Sequence, residues 1–135
     1  MSFVLDTTSI IIYLSDLKGA DLVEELLERA SRGKAEVYVS YLTLAELYHI
    51  IGREYTARMA NEAIVAVKRW PISLVPVDES IALSAGRIAI QSDLHLQDAV
   101  VVATAMDKKA AVVTSNPKIG EIFDDIIVLG TGEEV

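Results

Sequence analysis

The run Gln97-Asp98-Ala99-Val100-Val101-Val102-Ala103-Thr104-Ala105-Met106 is the most apolar stretch of the chain, and it has a single carboxylate at its front end. Three valines in a row would also suit a strand. The flanking alanines, Asp98 in the first turn and the pair Lys108-Lys109 at the far end are more typical of a helix. Because a helix that is apolar all round must be buried, the run predicts a helix in the middle of the fold.

The composition limits the class of protein. The chain has 135 residues and no cysteine, so we expect one domain over residues 1–135, without disulfides, a thiolate metal site or a cysteine nucleophile. With 12 basic and 20 acidic residues, the formal net charge is -8. This is the wrong sign for binding nucleic acid by phosphate neutralisation alone, so a divalent cation would have to mediate such binding.

The chain is apolar for a protein without membrane spans. The hydrophobic fraction is 52% and the mean hydropathy +0.37, yet no apolar run approaches the roughly 18 residues needed to cross a bilayer. The N-terminal run 3–14 is interrupted by Asp6 and lacks a basic leader, so it predicts neither a signal peptide nor an anchor. We expect a cytoplasmic protein whose surplus apolar surface contacts a partner or a second copy.

Strand and helix patterns alternate along the chain. Strands are predicted at residues 2–5, 36–40, 72–75, 110–113 and 125–129. Helices are predicted at residues 10–14, 20–32, 41–51, 56–70, 79–90 and 97–106. Gly33 and Gly52 are predicted helix ends, Asp78 is a predicted N-cap, and a polar tail with two glycines follows the last strand. The alternation predicts an α/β fold with a mainly parallel sheet covered on both faces.

Four polar residues lie where a ligand crevice is expected, at the carboxyl ends of the strands. Asp6 ends the first strand, Asn116 follows the fourth, Asp98 opens the central helix, and Glu46 lies one turn into the helix after the second strand. Each also has a purely structural explanation: a helix cap for Asp6 and Asp98, a solvated helix position for Glu46, a turn for Asn116. Against this, Glu46 lies in an apolar segment made of Leu42, Leu44, Ala45, Leu47 and Ile50.

Carboxylates that cluster need a cation. At 4 Å two of them repel by about 1 kcal/mol in water and by about four times as much near a protein surface. Oxygen ligands without histidine or cysteine favour Mg²⁺ or Mn²⁺, and such ions activate water in phosphodiester cleavage. The four residues therefore predict a magnesium or manganese site.

Four short motifs occur in the order found in PIN domains, in particular the VapC-like toxins of prokaryotic toxin-antitoxin pairs. They are Val4-Leu5-Asp6-Thr7-Thr8-Ser9, Leu42-Thr43-Leu44-Ala45-Glu46-Leu47, Leu96-Gln97-Asp98-Ala99-Val100-Val101-Val102-Ala103-Thr104-Ala105 and Val112-Val113-Thr114-Ser115-Asn116. Each is weak alone, but together they cover nearly the whole chain. The resemblance implies a three-layer sandwich whose central, mainly parallel twisted sheet is flanked by helices.

The resemblance also implies an activity and a set of partners. It implies a metal-dependent endoribonuclease, with RNA as substrate, Mg²⁺ or Mn²⁺ as cofactor, a homodimer and inhibition by a small antitoxin protein. Asp6, Glu46 and Asp98 match the acidic metal ligands. Thr8 or Ser9 matches a hydroxyl that follows the first acid, and Thr114 one that precedes the fourth site.

The fourth site departs from the family pattern, which usually has an aspartate where this chain has Asn116. An amide oxygen can still bind a hard cation, but with one negative charge fewer the second metal ion should bind more weakly. Glu121 is the first candidate to replace the missing acid, and Asp93 is a weaker one.

Two other functions stay open at this point. One is a PIN-like interaction module whose nuclease activity is weak or lost because of Asn116. The other is a flavodoxin-like or receiver-like domain that binds one Mg²⁺ for phosphoryl transfer. Against the latter, the third strand runs into Val75-Pro76 instead of ending in an aspartate.

Overall fold

The computed structural model describes residues 1–130, in which five strands form one wholly parallel sheet. The strands are β1 Ser2–Leu5, β2 Glu36–Ser40, β3 Ser73–Val75, β4 Ala111–Thr114 and β5 Ile126–Val128. Their order in the sheet is β3-β2-β1-β4-β5. Because β1 is central, Val4 pairs with Tyr38 of β2 on one side and with Val112 of β4 on the other.

Six α-helices connect and cover the strands of the described chain. They are α1 Thr7–Leu14, α2 Ala20–Ser31, α3 Tyr41–Glu54, α4 Ala57–Lys68, α5 Glu79–Ile90 and α6 Leu96–Lys108. A 3-10 helix follows β4 at Pro117–Glu121. None of the helices in residues 1–130 has both the length and the apolar character that crossing a membrane requires.

The sheet has a core on each face because successive side chains of a strand point to opposite sides. Phe3 and Leu5 of β1 pack into the cluster formed with α1 and α2, whereas Val4 packs into the cluster that contains Val101 and Val102 of α6. The structure therefore confirms the predicted three-layer α/β sandwich with a parallel central sheet.

The apolar run forms the buried helix that was predicted. All residues of α6 from Ala99 to Ala105 are buried. The one polar side chain among them, Thr104, donates a hydrogen bond from Oγ1 to the carbonyl oxygen of Val100 at 2.7 Å. One side of α6 packs on the sheet and another side packs on α5, so the helix is held in place and its first turn carries Asp98 at the carboxyl edge of the strands.

Two predicted helix boundaries were wrong. The first helix begins at Thr7 instead of residue 10, because Asp6 is its N-cap and accepts a hydrogen bond from the backbone N–H of Ser9 at 2.9 Å. Gly52 does not end α3, which continues to Glu54. It lies against Ala60 of α4, where a Cβ on Gly52 would be 3.9 Å from that of Ala60. From residue 131 onwards, the predicted polar tail lies outside the part of the chain that the structure describes.

The strand order excludes the receiver-like alternative. In flavodoxin-like and receiver-like sheets the first strand lies next to the third. Here β1 lies between β2 and β4, and β3 is at the edge of the sheet.

Candidate active site

A cavity of about 340 Å³ opens at the carboxyl edge of the sheet. It is lined by Asp6, Thr7, Thr8, Ile11, Glu46, Ile50, Asp98, Val101 and Asn116. All four polar residues that the sequence placed at strand ends therefore share one cavity. Their side chains come from the end of β1, from α3, from the first turn of α6 and from the turn after β4.

Asp6 is the most deeply buried acid of the cavity, with 2% of its surface exposed. Burial raises the pKa of Asp6, and the neighbouring charge of Asp98 adds to this, while hydrogen bonds from Thr114, Ser9 and Thr8 oppose it. Oδ1 accepts the hydroxyl of Thr8 at 2.8 Å and the N–H of Ser9 at 2.9 Å, and Oδ2 accepts the hydroxyl of Thr114. Since each oxygen has two lone pairs, Oδ2 keeps one for a further partner.

Two hydroxyl groups connect Asp6 to the turn after β4. Thr8 donates to Asp6 and accepts the backbone N–H of Ser115 at 2.9 Å. Thr114 donates to Asp6 and accepts the backbone N–H of Asn116, also at 2.9 Å. Of the predicted hydroxyl residues, Thr8 and Thr114 thus hold both the Asp6 carboxylate and the backbone of the turn, whereas the Ser9 hydroxyl donates to the backbone carbonyl of Asp6 at 2.9 Å.

Glu46 is half-buried and accepts a hydrogen bond from the hydroxyl of Thr7. Thr7 itself is buried, with 4% of its surface exposed, and is the first residue of α1. The sequence analysis did not single out Thr7. The sequence feature that could have indicated this role is the position of Thr7 directly after Asp6. In a helix that begins at residue 7, the Thr7 side chain faces α3.

Asp98 is half-buried at the third position of α6. Burial raises its pKa and the charge of Glu46 raises it further, whereas His95 and a hydrogen bond from Asn116 act in the opposite direction. Asp98 and Glu46 are therefore close enough for their negative charges to repel each other.

Asn116 uses both ends of its amide. Its Oδ1 accepts the backbone N–H of Lys118 at 3.1 Å, which caps the 3-10 helix, and its Nδ2 donates to Oδ2 of Asp98 at 3.4 Å. The turn function predicted as the structural alternative for Asn116 is therefore present, and it occurs together with the contact to Asp98. A metal-ligand role for Asn116 stays a prediction.

Glu121 and Asp93 do not line the cavity of Asp6. They lie with Lys118 on a separate cavity of about 150 Å³. Both are exposed on the surface of the described chain. The structure therefore does not bring either acid next to Asn116 as a replacement for the missing aspartate.

The donor chemistry of the cavity fits a hard divalent cation, because Asp6, Glu46, Asp98 and Asn116 offer only oxygen as ligand. Within residues 1–130, however, no three histidine, aspartate or glutamate side chains are gathered closely enough to surround one ion as they stand. The carboxylates share a cavity while each is held by its own hydroxyl or amide partner.

An apolar groove of about 490 Å³ lies beside the cavity, between α1, α3 and α4. Leu14, Tyr55 and Met59 line it and are exposed to solvent by 39%, 66% and 45%. Ile11 and Ile50 line both the groove and the acidic cavity, so the two spaces share a wall.

Comparisons with known proteins identify this architecture. The family model of the PIN domain matches residues 3–123. No curated protein matches the sequence at a significant level.

Several solved structures share the fold. A VapBC complex from Rickettsia felis, bound to a promoter DNA fragment, matches with a TM-score of 0.77 at 14% identity, over 96% of this chain and 100% of that one. A DNA-bound VapBC from Salmonella typhimurium matches with a TM-score of 0.72 at 18% identity, over 95% and 96%. A VapC from Mycobacterium tuberculosis, described as a toxin that cleaves the sarcin-ricin loop, matches with a TM-score of 0.65 at 15% identity, over 88% and 93%.

Proposed function

Since the chain belongs to the PIN domain family, we propose that it is a Mg²⁺- or Mn²⁺-dependent endoribonuclease, the toxin of a VapBC-type toxin-antitoxin pair. One observation carries the proposal: Asp6, Glu46 and Asp98 come from three separate parts of the chain and line one cavity at the carboxyl edge of a parallel sheet. Structural needs alone do not explain three carboxylates in one place, because each additional charge opposes the others.

The proposed ligands of the cation are the carboxylates of Asp6, Glu46 and Asp98. When bound there, such a cation supplies activation of the attacking water and charge stabilisation of the leaving oxygen. Asp6 would contribute Oδ2, which accepts one hydrogen bond and keeps a free lone pair, and its carboxylate is held in position by Thr8 and Thr114. Thr7 fixes Glu46 in the same way.

The cation also explains how an acidic protein can bind RNA. A phosphodiester that approaches the cavity meets the charges of Asp6, Glu46 and Asp98 on a chain whose net charge is -8. Without a cation these charges repel the phosphate, and a cation held by the three carboxylates would offset that repulsion.

We further propose two protein partners and a location in the cytoplasm, where RNA is available. The first partner is an antitoxin, since the structural neighbours include VapBC complexes, and an apolar segment of it would fit the groove lined by Leu14, Tyr55 and Met59.

The second proposed partner is another copy of this chain. Tyr41, Tyr48 and Tyr55 follow each other at intervals of seven residues on α3 and its C-cap, and all three are exposed.

The decisive experiment is RNA cleavage by the purified protein with Mn²⁺, with Mg²⁺ and with EDTA. We expect cleavage of a structured RNA only with the metal ions, and none with Glu46→Gln or Asp98→Asn prepared in parallel. Cleavage that persists in EDTA would contradict the metal dependence, and cleavage by both variants at the rate of the wild type would contradict the assigned residues. Binding of RNA without any cleavage would instead favour the interaction module.

A further inference from the structure

The turn after β4 contacts two of the three acids of the cavity. Its Thr114 hydroxyl donates to Asp6 and accepts the N–H of Asn116, while the Asn116 side chain donates to Asp98 at 3.4 Å. Asp6 and Asp98 belong to different elements, the end of β1 and the first turn of α6. The turn is thus a hydrogen-bonded bridge between them.

The orientation of the Asn116 amide is fixed by two independent contacts. Oδ1 faces the N–H of Lys118, and Nδ2 faces the carboxylate of Asp98. Exchanging the oxygen and the nitrogen would place two donors against each other at Lys118 and two acceptors against each other at Asp98. Both contacts therefore require the amide nitrogen, and not the oxygen, to face the acid.

We propose that Asn116 is a positioning residue that holds Asp98 by donating a hydrogen bond from Nδ2, and that it is not a ligand of the metal ion. This rests on the proposed function, in which Asp98 is a ligand. The Asn116 amide faces Asp98 with Nδ2, which cannot bind a cation, whereas Oδ1, the atom that a ligand role would use, faces the backbone N–H of Lys118.

Charge gives the physical reason for an asparagine at this position. Asp98 is half-buried and already repelled by Glu46. An amide N–H stabilises its ionised form without adding another negative charge to the cavity, whereas a carboxylate at the same place would add one. A neutral donor therefore orients the Asp98 side chain without adding a charge to the cavity.

The test is a double-mutant cycle on metal-free protein, measured as urea midpoints. Asn116→Ser keeps an acceptor for the N–H of Lys118, because serine and asparagine cap helices about equally well, but it removes the donor to Asp98. We expect Asn116→Ser to lower the midpoint of the wild type and to leave that of Asp98→Ala unchanged. Equal effects in the two backgrounds would overturn the proposal.

Asn116→Asp provides a second arm that does not depend on the serine variant. The introduced carboxylate keeps the cap of Lys118 but faces Asp98, so the metal-free midpoint should fall further than in Asn116→Ser. Most of that fall should disappear when Asp98→Ala is present. An Asn116→Asp protein as stable as the wild type in EDTA would contradict a contact between these two side chains.

Direct Mn²⁺ binding, measured by calorimetry, separates positioning from ligation and from failure of the proposed function. We expect Asn116→Ser to bind Mn²⁺ roughly 10-fold to 100-fold more weakly, as is usual when the partner of a metal ligand is removed. Weaker binding without coupling in the urea cycle would make Asn116 a ligand and overturn the inference. If the wild type binds no Mn²⁺, the metal-dependent function fails, and the urea cycle still decides the role of Asn116.

Discussion

The hydroxyl of Thr114 at the end of β4 donates a hydrogen bond to Oδ2 of Asp6 at the end of β1, 108 residues away in the sequence. The two strands are neighbours in the parallel sheet, with Leu5 paired to Val113 just before these two residues. The contact follows from the strand order, because adjacent parallel strands end at the same edge. It places a donor on a buried carboxylate whose pKa burial raises.

Removing this hydroxyl should destabilise the protein. Thr114→Val keeps the shape of the side chain but withdraws one donor from the Asp6 carboxylate and one acceptor from the N–H of Asn116. We expect the free energy of unfolding to fall by about 1–3 kcal/mol in metal-free protein, as measured by urea denaturation. Thr114→Ser, which keeps the hydroxyl, is the control and should lose much less; equal losses would assign the effect to packing.

Divalent metal ions should stabilise the folded state. The carboxylates of Glu46 and Asp98 lie close together only in the folded chain, so a cation that binds there binds the unfolded chain far less well. At a metal concentration 100 times the Kd, this contributes about 2.7 kcal/mol. Thermal melts with and without Mn²⁺ measure the shift, which should be absent in Asp98→Asn. A wild type whose melting temperature does not respond to millimolar Mn²⁺ contradicts the proposed site.

We expect the Thr7 hydroxyl to fix the position of the Glu46 carboxylate, and we expect the chain to fold without this hydroxyl. Thr7→Val removes the hydrogen bond to Glu46 while it keeps the buried branched shape, so we expect Mn²⁺ affinity to fall roughly 10-fold or more. Calorimetry with Thr7→Ser as the hydroxyl-retaining control tests this directly. If the valine and serine variants bind Mn²⁺ equally well, Thr7 does not position Glu46.

The protein should form dimers through α3. Tyr48 lies in the middle of the row of exposed tyrosines and is 40% exposed in the single chain. Light scattering at micromolar concentrations should therefore give the mass of two chains, and Tyr48→Glu should shift the mass towards one chain. Arg58→Glu on the neighbouring helix α4 is a charge-changing control outside this row. A monomeric wild type would contradict a dimer that forms through these exposed tyrosines.

The sequence was enough to predict the layers of the fold and the grouping of the four polar residues at one edge of the sheet. Alternating strand and helix patterns imply parallel strands, and parallel strands bring Asp6 and Asn116 to one edge whatever the details of the loops. The burial of α6 was predictable in the same way, since apolar residues occupy its whole circumference.

The contacts that orient the acids were not predictable from the pattern. Thr7 reaches Glu46 only because α1 begins three residues earlier than expected, and that start depends on the Asp6 carboxylate as a cap. The direction of the Asn116 amide depends on Asp98 and on Lys118, and periodicity carries no information about a pair as distant as Asn116 and Asp98. Glu121, which looked close in sequence, lies on another cavity because the 3-10 helix turns it away.

Asp6 is both the N-cap of α1 and an acid of the cavity, which affects how an alanine scan of this protein must be interpreted. Asp6 caps α1 and accepts three hydrogen bonds, so Asp6→Ala removes a helix cap and leaves the partners of a buried carboxylate unpaired. If the Asp6→Ala protein failed to cleave RNA, the cause could equally be loss of the fold or loss of a metal ligand. Within residues 1–130, Asp98 accepts one side-chain hydrogen bond, from Asn116, so Asp98→Ala disturbs the fold less than Asp6→Ala and is the better variant for testing the proposed activity and the proposed partners.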